Sequence, residues 1–527
     1  MSRRFLWGAI ALVLVGFVFF TFLREDRHEI PTWKAAPKSA PLKSGHYHAI
    51  IVGGGVGGLT SGALLAKNGY KVLIAEKNSD IGGFCAKHTV DGFTFGLGTW
   101  DINGVWERGP VTYLLKQLGL DQKKLLVRNS RRFFVGDTSF DVGNGLSFEA
   151  ALIKQFGEEK EAISKFFKKA KIVYETAYDK TMIGMWGTPI PKELIPLAMP
   201  EKWISEYQVA HKELLEWQDK TYQEVLDEYF KNSKLKKVMS SILKHLGGLP
   251  AKTKASDVII HTFGYFFFDG YQPLQTSYHF AEALASYITK RGGTILKSST
   301  VDTILVKDGG VRGVQIGTKS FYAPVVISNV NAKTTYLDLV DDALPESFLK
   351  SIRQIPMGRS IFSLYLGVDK DLSSYPSLLQ DRYNQIYLAN TSKNDPTLAP
   401  KGKSAVVLME TARIRDFMGR TPAQYEKYVQ KRSEALLKKG EDLMPELRGK
   451  VILQMAKTPK DFEKLVDMPQ GAVYGFDLAG ISSWPYFKSP VRGLYLVGSS
   501  ASGPGITPVI SSGILCAHDV MGWKSNQ

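Results

Sequence analysis

The chain has 527 residues, of which 44% are hydrophobic and 22% are charged. This composition is ordinary for globular proteins, and it excludes a mostly disordered chain, a collagen-like chain and a membrane protein with many spans. The 67 basic and 51 acidic residues give a formal net charge of +16, which attracts anionic surfaces such as phospholipid or nucleic acid without choosing between them.

Residues 5–23 form an apolar run without a charged residue. Its length is close to the roughly 20 residues that cross a bilayer as a helix, so the run predicts an uncleaved, single-pass transmembrane anchor. A signal peptide is the alternative, but no small-residue cleavage pattern precedes Arg24. More Lys and Arg residues follow the run than precede it, which places the rest of the chain on the cytosolic side of a membrane. Residues 24–45, rich in proline and charge, are predicted to be a stalk.

The pattern changes after the stalk. Residues 49–52 are a short apolar run that predicts a buried strand, residues 59–67 have helical spacing, and residues 71–75 form a second apolar run. A glycine cluster lies between the first strand and the helix. This order of strand, glycine turn, helix and strand is typical of a βαβ unit.

Gly53, Gly55 and Gly58 form a G-x-G-x-x-G motif in that turn. In a dinucleotide-binding fold the first glycine permits the tight turn, the second lets a pyrophosphate approach the backbone, and the third lets the helix pack on the strand. The helix N-terminus adds unpaired N–H groups and partial positive charge. Glu76 ends the second strand, where a carboxylate can accept hydrogen bonds from ribose hydroxyls and would repel the 2′-phosphate of NADP. The alternative is a glycine-rich turn in an ordinary α/β domain.

Further elements follow in the second half of the chain. Charged and apolar residues alternate at helical spacing over residues 148–178, and residues 420–439 predict a polar helix. Residues 301–316 and 320–328 predict strands. Residues 493–497 predict one more buried strand, which leads into a second glycine-rich turn.

Other chemistries have no support in the sequence. The two cysteines, Cys85 and Cys516, are too few for a disulfide framework or a cysteine-rich zinc site, and no metal site is predicted. Residues 231–254 contain seven Lys and no acidic residue before Asp257, which predicts either a solvated helix face or a contact with anionic lipid headgroups. Nucleic acid is not a predicted partner, because no recognition motif or arginine-rich arm accompanies the charge.

The stretch from residue 50 to residue 84, IIVGGGVGGLTSGALLAKNGYKVLIAEKNSDIGGF, resembles the FAD fingerprint of the amine-oxidase superfamily of FAD-dependent oxidoreductases. Within that superfamily it resembles the phytoene desaturases, carotenoid isomerases and retinol saturases. Similar landmarks at residues 93–98, 271–293, 301–329 and 493–513 extend the likeness over nearly the whole chain. The resemblance implies that FAD is the cofactor and that the residues holding it are Gly53, Gly55, Val56, Gly57, Gly58, Glu76, Lys77, Gly82, Gly83, Phe84, Gly498, Gly505, Ile506 and Pro508.

The second glycine-rich turn is similar to the C-terminal flavin motif of these enzymes. Gly498 and Gly505 let the backbone pass close to a ligand, and Pro508 lies where a helix can begin. The N-terminus of that helix can stabilise negative charge on a reduced flavin ring or on phosphate. A purely structural strand–turn–helix is the alternative.

Two positions depart from the family pattern. Gly96 replaces the aspartate of a Phe-Asp-x-Gly turn, and residues 274–276 (Leu-Gln-Thr) replace a glycine-rich element that follows Tyr-x-Pro. Both positions lie near the flavin or the substrate in such enzymes. The departures therefore leave the exact reaction open, but not the cofactor.

The resemblance implies an α/β fold, in which a doubly wound, Rossmann-like FAD-binding domain of the glutathione-reductase type receives an inserted α+β substrate domain. Both domains would be discontinuous in the sequence. The predicted segments are residues 1–23 for the anchor, 24–45 for the stalk, 46–145, 271–334 and 451–527 for the FAD-binding domain, and 146–270 and 335–450 for the substrate domain.

The predicted reaction is hydride transfer between flavin N5 and a carbon of a hydrophobic isoprenoid or polyene, in desaturation, saturation or isomerisation. Aromatic and apolar side chains at residues 182–203 and 263–271 predict the lining of a substrate tunnel, with ordinary core as the alternative. Asp101 and His279 are the candidate proton donors or acceptors, with a structural role as the alternative for each. The predicted partners are this lipophilic substrate and the membrane, and the oligomeric state is left open.

Two other functions compete with this prediction. An amine oxidase would release peroxide from amines, which a peroxide screen would detect. A protein similar to the Rab GDP-dissociation inhibitors would bind prenylated partners without flavin and would be colourless. The intact glycine turn and Glu76 argue against the second alternative.

Overall fold

The computed structural model describes residues 43–107, 109–143, 145–178, 201–243, 248–340, 344–479, 485 and 487–522. The predicted anchor at residues 5–23 and most of the apolar segment at residues 182–203 lie outside these ranges. Within the described ranges, no helix combines the length and the apolar composition that crossing a bilayer requires.

The strands, numbered in chain order, are β1 Ala49–Val52, β2 Val72–Ala75, β3 Lys87–Val90, β4 Phe93–Gly96, β5 Leu126–Arg128, β6 Arg131–Val135, β7 Thr138–Val142, β8 Tyr271–Pro273, β9 Thr294–Leu296, β10 Thr303–Lys307, β11 Gly310–Ile316, β12 Lys319–Tyr322, β13 Val326–Ser328, β14 Ser360–Val368, β15 Leu378–Asp381, β16 Ile386–Asn390, β17 Ser404–Ala412, β18 Val451–Lys457 and β19 Leu494–Leu496.

The α-helices are α1 Val56–Lys67, α2 Pro110–Leu118, α3 Gln122–Leu125, α4 Phe148–Gln155, α5 Lys160–Ala177, α6 Glu201–Ala210, α7 Lys212–Gln218, α8 Tyr222–Tyr229, α9 Ser233–Ser241, α10 Ala255–Thr262, α11 Gly264–Phe267, α12 Thr276–Lys290, α13 Glu346–Gln354, α14 Pro422–Leu443, α15 Pro459–Val466, α16 Ser499–Ser502 and α17 Ile506–Val520. A π-helical turn covers Thr334–Leu339.

A parallel sheet with the strand order β19-β13-β1-β2-β9 lies at the centre of the first half of the fold. Strands β1 and β2 are buried along their whole length, as expected for a parallel sheet that is covered on both faces. Side chains alternate between the faces, so Ile51 packs with α1, α12 and α17 while Ile50 packs on the opposite side. The predicted βαβ unit is therefore confirmed.

The layer on the second face differs from the doubly wound prediction. There the apolar cluster is built from the antiparallel strands β10, β11 and β12 and from α13, where a doubly wound fold would carry a second layer of helices. The segment between β9 and β13 explains this difference. Its apolar residues alternate along short strands and a tight turn occupies residues 308–309, which favours an antiparallel hairpin over a helix. The coarser prediction, an α/β fold with a Rossmann-like parallel sheet, is confirmed.

The second large sheet has the order β18-β14-β17-β16-β15-β6-β7 and is antiparallel except between β15 and β6. One face packs against α14 through an apolar cluster that includes Phe362, Leu408 and Leu436. The other face carries Ile361 and Met409 toward a large cavity. This sheet therefore forms a wall between the helical layer of α14 and the cavity.

Strand pairing also bears on where the predicted domains begin and end. β6 and β7 fall within the first predicted FAD-binding segment, and β18 falls within the last one, yet all three pair into the seven-stranded sheet. We propose that the first cofactor segment ends before β6 and that the last one begins after α15.

Candidate active site

A cavity of about 400 Å³ lies between the parallel sheet and the seven-stranded sheet. Its lining includes Gly53 and Gly55 from the first glycine turn and Gly498 and Gly505 from the last one. The two turns are direct neighbours, since a Cβ atom placed on Gly57 would lie 3.0 Å from the backbone nitrogen of Gly498. Segments more than 400 residues apart in the sequence thus form one site.

The first glycine turn has the geometry that its motif predicts. Gly53 adopts a φ of +91°, which favours glycine, and its N–H donates to the Ala75 carbonyl over 2.8 Å. A Cβ atom on Gly58 would lie 2.9 Å from Cγ2 of Ile51, too close for any other residue without a shift of helix from strand. The Gly58 N–H donates to Oδ1 of Asn329 over 3.0 Å, which joins the turn to the end of β13. Gly53 and Gly55 therefore bring the backbone of this turn to the cavity.

Glu76 lies directly after β2, is buried, and lines the cavity. Its Oε2 accepts a hydrogen bond from the Gly54 N–H over 2.7 Å, and its Oε1 accepts one from the Asn78 N–H over 2.8 Å. These two bonds fix the plane of the carboxylate, and each oxygen keeps further acceptor capacity. An acceptor is thus held rigidly beside the glycine turn.

The other predicted cofactor residues fall into two groups. Those that line the cavity are Gly53, Gly55, Val56, Glu76, Lys77, Gly82, Gly83, Phe84, Gly498, Gly505 and Ile506. Those that lie behind its lining are Gly57, Gly58 and Pro508. Gly57 and Gly58 provide close packing of α1, and Pro508 lies in the first turn of α17.

The C-terminal turn presents a helix end to the cavity. The Gly498 N–H donates to the Ser512 hydroxyl over 2.9 Å, which ties the turn to α17. Gly505, with a φ of +102°, directly precedes this helix, and Gly505, Ile506 and Val509 all line the cavity. The partial positive charge at the N-terminus of this 15-residue helix therefore points at the space inside.

Asp101 lies in the same cavity, held by two neighbours. Its carboxylate accepts hydrogen bonds from Nδ2 of Asn129 over 2.9 Å and from Nη2 of Arg131 over 3.2 Å. The Arg131 side chain is buried. Its guanidinium group makes a cation–π contact with Tyr265, with Arg131 Cζ 5.1 Å from the centroid of the ring. Burial raises the pKa of Asp101, and the ion pair with Arg131 opposes that rise. Asp101 is thus placed where a proton can be exchanged with a bound molecule.

His279, the other candidate, lies elsewhere. It is in the first turns of α12, its side chain is about one-third exposed, and its Nδ1 is 3.8 Å from Oε2 of Glu282. It is not among the residues that line the cavity. Its spacing after Tyr-x-Pro predicts that it lies on a helix, as observed, but the spacing does not show which face of that helix it occupies.

The aromatic segment at residues 263–271 is divided between core and cavity. Tyr265 and Phe266 line the cavity. Phe263 and Phe267 pack instead against Phe167 of α5, and Phe268 stacks on Trp106. Some residues of this segment therefore line the cavity and others belong to the core, and its role as a substrate tunnel stays a prediction.

The two positions that depart from the family pattern lie in contact with each other. A Cβ atom on Gly96 would lie 3.3 Å from Cβ of Thr276, so a larger residue at position 96 and Thr276 compete for the same space. Gln275 and Thr276 both have positive φ angles of 52° and 71°. Neither Gly96 nor Thr276 lines the cavity, so this pair acts on the packing of β4 against α12.

Several cavity residues were not anticipated from the sequence. They come from the seven-stranded sheet and its connections, where Arg131, Gln380, Arg382, Tyr387 and Tyr474 supply polar groups. The signal available was weak, because an arginine or glutamine in a strand usually faces solvent. The pairing of β6 with β15 and of β15 with β16 brings Arg131, Gln380 and Tyr387 to one wall.

Comparison with known proteins agrees with this arrangement. A family model described as flavin containing amine oxidoreductase matches residues 56–521. Prolycopene isomerase, chloroplastic, from Daucus carota is 26% identical and aligns with 91% of this chain and 80% of its own length. The 4,4'-diaponeurosporene oxygenase of Staphylococcus aureus (strain MW2) is 28% identical over 88% of this chain and 96% of its own length.

Solved structures share the fold at lower identity. A putrescine oxidase variant superposes with a TM-score of 0.64 at 14% identity, covering 91% of this chain and 99% of its own. An oxidoreductase from Methanosarcina mazei gives a TM-score of 0.57 at 19% identity, covering 88% of this chain and 98% of its own. These likenesses show the architecture alone.

Proposed function

Since the chain belongs to the flavin-containing amine oxidoreductase family and is a FAD-dependent oxidoreductase, we propose that its substrate is a hydrophobic polyene of the carotenoid or retinoid kind. The observation that carries this proposal is the single cavity that joins both glycine turns to a wall bearing Phe266, Ile361, Leu378 and Met409. These apolar side chains fit a hydrocarbon chain better than they fit a polar amine. The names of the two relatives, prolycopene isomerase and 4,4'-diaponeurosporene oxygenase, support the same substrate class.

The residues of this cavity fit FAD. The Glu76 carboxylate, fixed by Gly54 and Asn78, would accept hydrogen bonds from the ribose. The first glycine turn and the N-terminus of α1 would hold the pyrophosphate, because the missing Cβ atoms leave the backbone open to it. The N-terminus of α17 would face the flavin ring.

FAD, when bound, supplies hydride transfer at its flavin ring. The chain's own residues orient the polyene along the seven-stranded sheet and exclude water from the reacting carbon by means of Phe266 and Ile361. The Asp101 carboxylate, held by Arg131 and Asn129, would hold or release a proton at Oδ1 or Oδ2. Such a set of groups suits desaturation, saturation or isomerisation of a conjugated chain. We also propose that residues 5–23 anchor the enzyme at a membrane in which such a substrate dissolves.

The test is a direct one on the purified, detergent-solubilised full chain. Lipids that co-purify are extracted and identified, and the oxidised and reduced enzyme is titrated with carotenoids and retinoids while the visible flavin band is followed. A change of flavin redox state or of polyene double bonds is expected, and the Glu76→Ala variant should show less of either, in proportion to the flavin that it has lost. Peroxide release from amines, with no response to any polyene, would contradict the proposal.

A further inference from the structure

The side chain of Asn329 lies between the two glycine-rich turns. Asn329 directly follows β13, which pairs with β1 on one side and with β19 on the other, and it lines the cavity. Its Oδ1 accepts the hydrogen bond from the Gly58 N–H over 3.0 Å, and a Cβ atom on Gly498 would lie 3.1 Å from the same oxygen. Asn329 therefore contacts both turns, although the cofactor residues expected from the sequence do not include it.

The amide oxygen of Asn329 caps helix α1. The N-cap residue of α1 is Gly55, which has no side chain, and no acidic residue lies in the first turn. The first N–H groups of a helix have no partner within it, and an N-cap side chain normally accepts a bond from the second or third of them. Oδ1 of Asn329 makes this bond to Gly58, the third residue of α1, from a position 271 residues further along the chain.

The amide nitrogen of Asn329 lies beside the second glycine of the G-x-G-x-x-G motif. Because Oδ1 accepts the Gly58 N–H, the opposite orientation of the amide would set two donors against each other. A Cβ atom on Gly55 would lie 2.3 Å from Nδ2, and no described residue accepts a hydrogen bond from this nitrogen. Gly55 is the glycine at which a pyrophosphate approaches the backbone. The N–H donors of Nδ2 therefore lie where the anionic part of a dinucleotide binds.

The absence of charge on this capping side chain is consistent with a neighbouring anion. Aspartate caps a helix N-terminus as well as asparagine does, and its negative charge also interacts favourably with the helix dipole. At position 329, however, a carboxylate would place a negative charge beside Gly55 and would repel a bound phosphate. A neutral amide keeps the cap and adds donors for the anion.

We propose that Nδ2 of Asn329 donates a hydrogen bond to the pyrophosphate of FAD, so that one side chain both caps α1 and binds the cofactor. A hydrogen bond from an amide to a charged phosphate oxygen is stronger than one between neutral groups. The inference rests on FAD as the cofactor of this family and not on the polyene substrate. It therefore holds or fails independently of the proposed substrate class.

Two substitutions separate the cap from the contact with the cofactor. Asn329→Asp keeps Oδ1 for the Gly58 N–H and replaces the N–H₂ group by a negatively charged oxygen, whereas Asn329→Ala removes both groups. The full chain in detergent is dialysed against buffers of graded FAD concentration, and bound flavin per chain is measured. We expect Asn329→Ala to weaken FAD binding about tenfold and Asn329→Asp to weaken it at least about 100-fold. Thermal unfolding without added FAD should give a different order, with Asn329→Asp as stable as the wild type and Asn329→Ala less stable.

Competing ligands then locate the effect on the phosphates. ADP and adenosine share one nucleoside and differ in the diphosphate, so each is used to displace FAD from the wild type and from the variants. Asn329→Asp should weaken ADP binding about as much as FAD binding and should leave adenosine binding within about twofold of the wild type. The matched control is Asn68→Asp, because Asn68 is exposed at the other end of α1 and lies outside the cavity lining. This control makes the same change of charge and should keep the wild-type affinity for FAD.

Two results would overturn the inference. If Asn329→Asp binds FAD as tightly as the wild type, Asn329 only caps α1. If the loss of affinity is equal for ADP and adenosine, the effect of Asn329 lies outside the diphosphate. Should Asn329→Asp fail to fold, the comparison of ADP with adenosine on Asn329→Ala decides in the same way.

Discussion

Oε2 of Glu76 accepts a hydrogen bond from the backbone N–H of Gly54 over 2.7 Å, so the carboxylate at the end of β2 is part of the glycine turn that follows β1. The contact links two elements of the nucleotide-binding unit that lie 22 residues apart. It holds an acceptor at the cavity. A change at Glu76 therefore alters both a ligand contact and the shape of the turn.

Glu76→Ala is expected to weaken FAD binding by roughly 10- to 100-fold, because it removes one charged hydrogen-bond acceptor of the ribose, worth about 1.5–3 kcal/mol. The fold should persist, since the parallel sheet is held by apolar packing on both faces. Flavin content per chain after gel filtration measures the effect. Asp80→Ala is the control, because Asp80 lies on the same loop but is exposed and pairs with Lys297. Equal flavin content in the Glu76→Ala protein and the wild type would refute the ribose role.

The contact between α1 and α17 gives a second prediction. A Cβ atom on Gly513 would lie 2.5 Å from the Gly57 carbonyl oxygen and 2.8 Å from Cβ of Thr60, both of which belong to α1. Gly513→Ala should therefore push the helices apart, lower the free energy of unfolding by about 1–3 kcal/mol and weaken flavin binding. Gly157→Ala, where no atom lies within 4 Å, should change stability by less than about 0.5 kcal/mol. Thermal unfolding and flavin content of the two variants make the comparison.

Much of the cofactor end could be predicted from the sequence because its determinants are local. The turn of Gly53 to Gly58 and the position of Glu76 follow from strand and helix lengths within 30 residues, and the structure places them as the motif requires. The C-terminal turn carries the same kind of local signal in Gly498 and Gly505. The family resemblance then predicts that the two turns contribute to one cofactor site, which their spacing in the sequence alone does not predict.

The polar cavity residues on the seven-stranded sheet could not be predicted, because their positions depend on long-range strand pairing. Arg131 and Gln380 are 249 positions apart in the sequence and meet only because β6 pairs in parallel with β15. The position of His279 outside the cavity lining could not be predicted for a related reason, because tertiary contacts decide which side of a helix faces the cavity. The packing of β10–β12 on the second face of the parallel sheet likewise depends on tertiary contacts that local patterns do not show.

The ion pair between Asp101 and Arg131 gives a third prediction. Arg131→Met removes the cation and leaves the Asp101 carboxylate buried, so stability should fall by about 3–5 kcal/mol and the pKa of Asp101 should rise further. Adding Asp101→Asn to Arg131→Met should recover a large part of the loss, because the carboxamide carries no charge that needs a partner. Urea unfolding of the wild type, Arg131→Met, Asp101→Asn and the double variant gives the four free energies of unfolding of a double-mutant cycle. Additive losses would contradict a coupled pair.

His261 gives a prediction about pH. It lies at the end of α10, is buried, and donates a hydrogen bond to the backbone carbonyl of Pro504, next to Gly505 in the C-terminal turn. Burial lowers the pKa of His261 from 6.5 to about 4. The unfolded chain therefore binds a proton between these values when the folded protein does not, so the contribution of His261 to stability is complete above pH 6.5 and is lost as the pH falls toward 4.

The loss from this single group should reach about 3 kcal/mol near pH 4. In His261→Gln, which cannot be protonated, the free energy of unfolding should fall less steeply between pH 7 and pH 4.5 than in the wild type. Urea unfolding at several pH values measures both slopes. His88→Gln is the control, because His88 is exposed on β3, and it should keep the wild-type slope. A slope that His261→Gln leaves unchanged would show that the acid sensitivity of the protein comes from other groups.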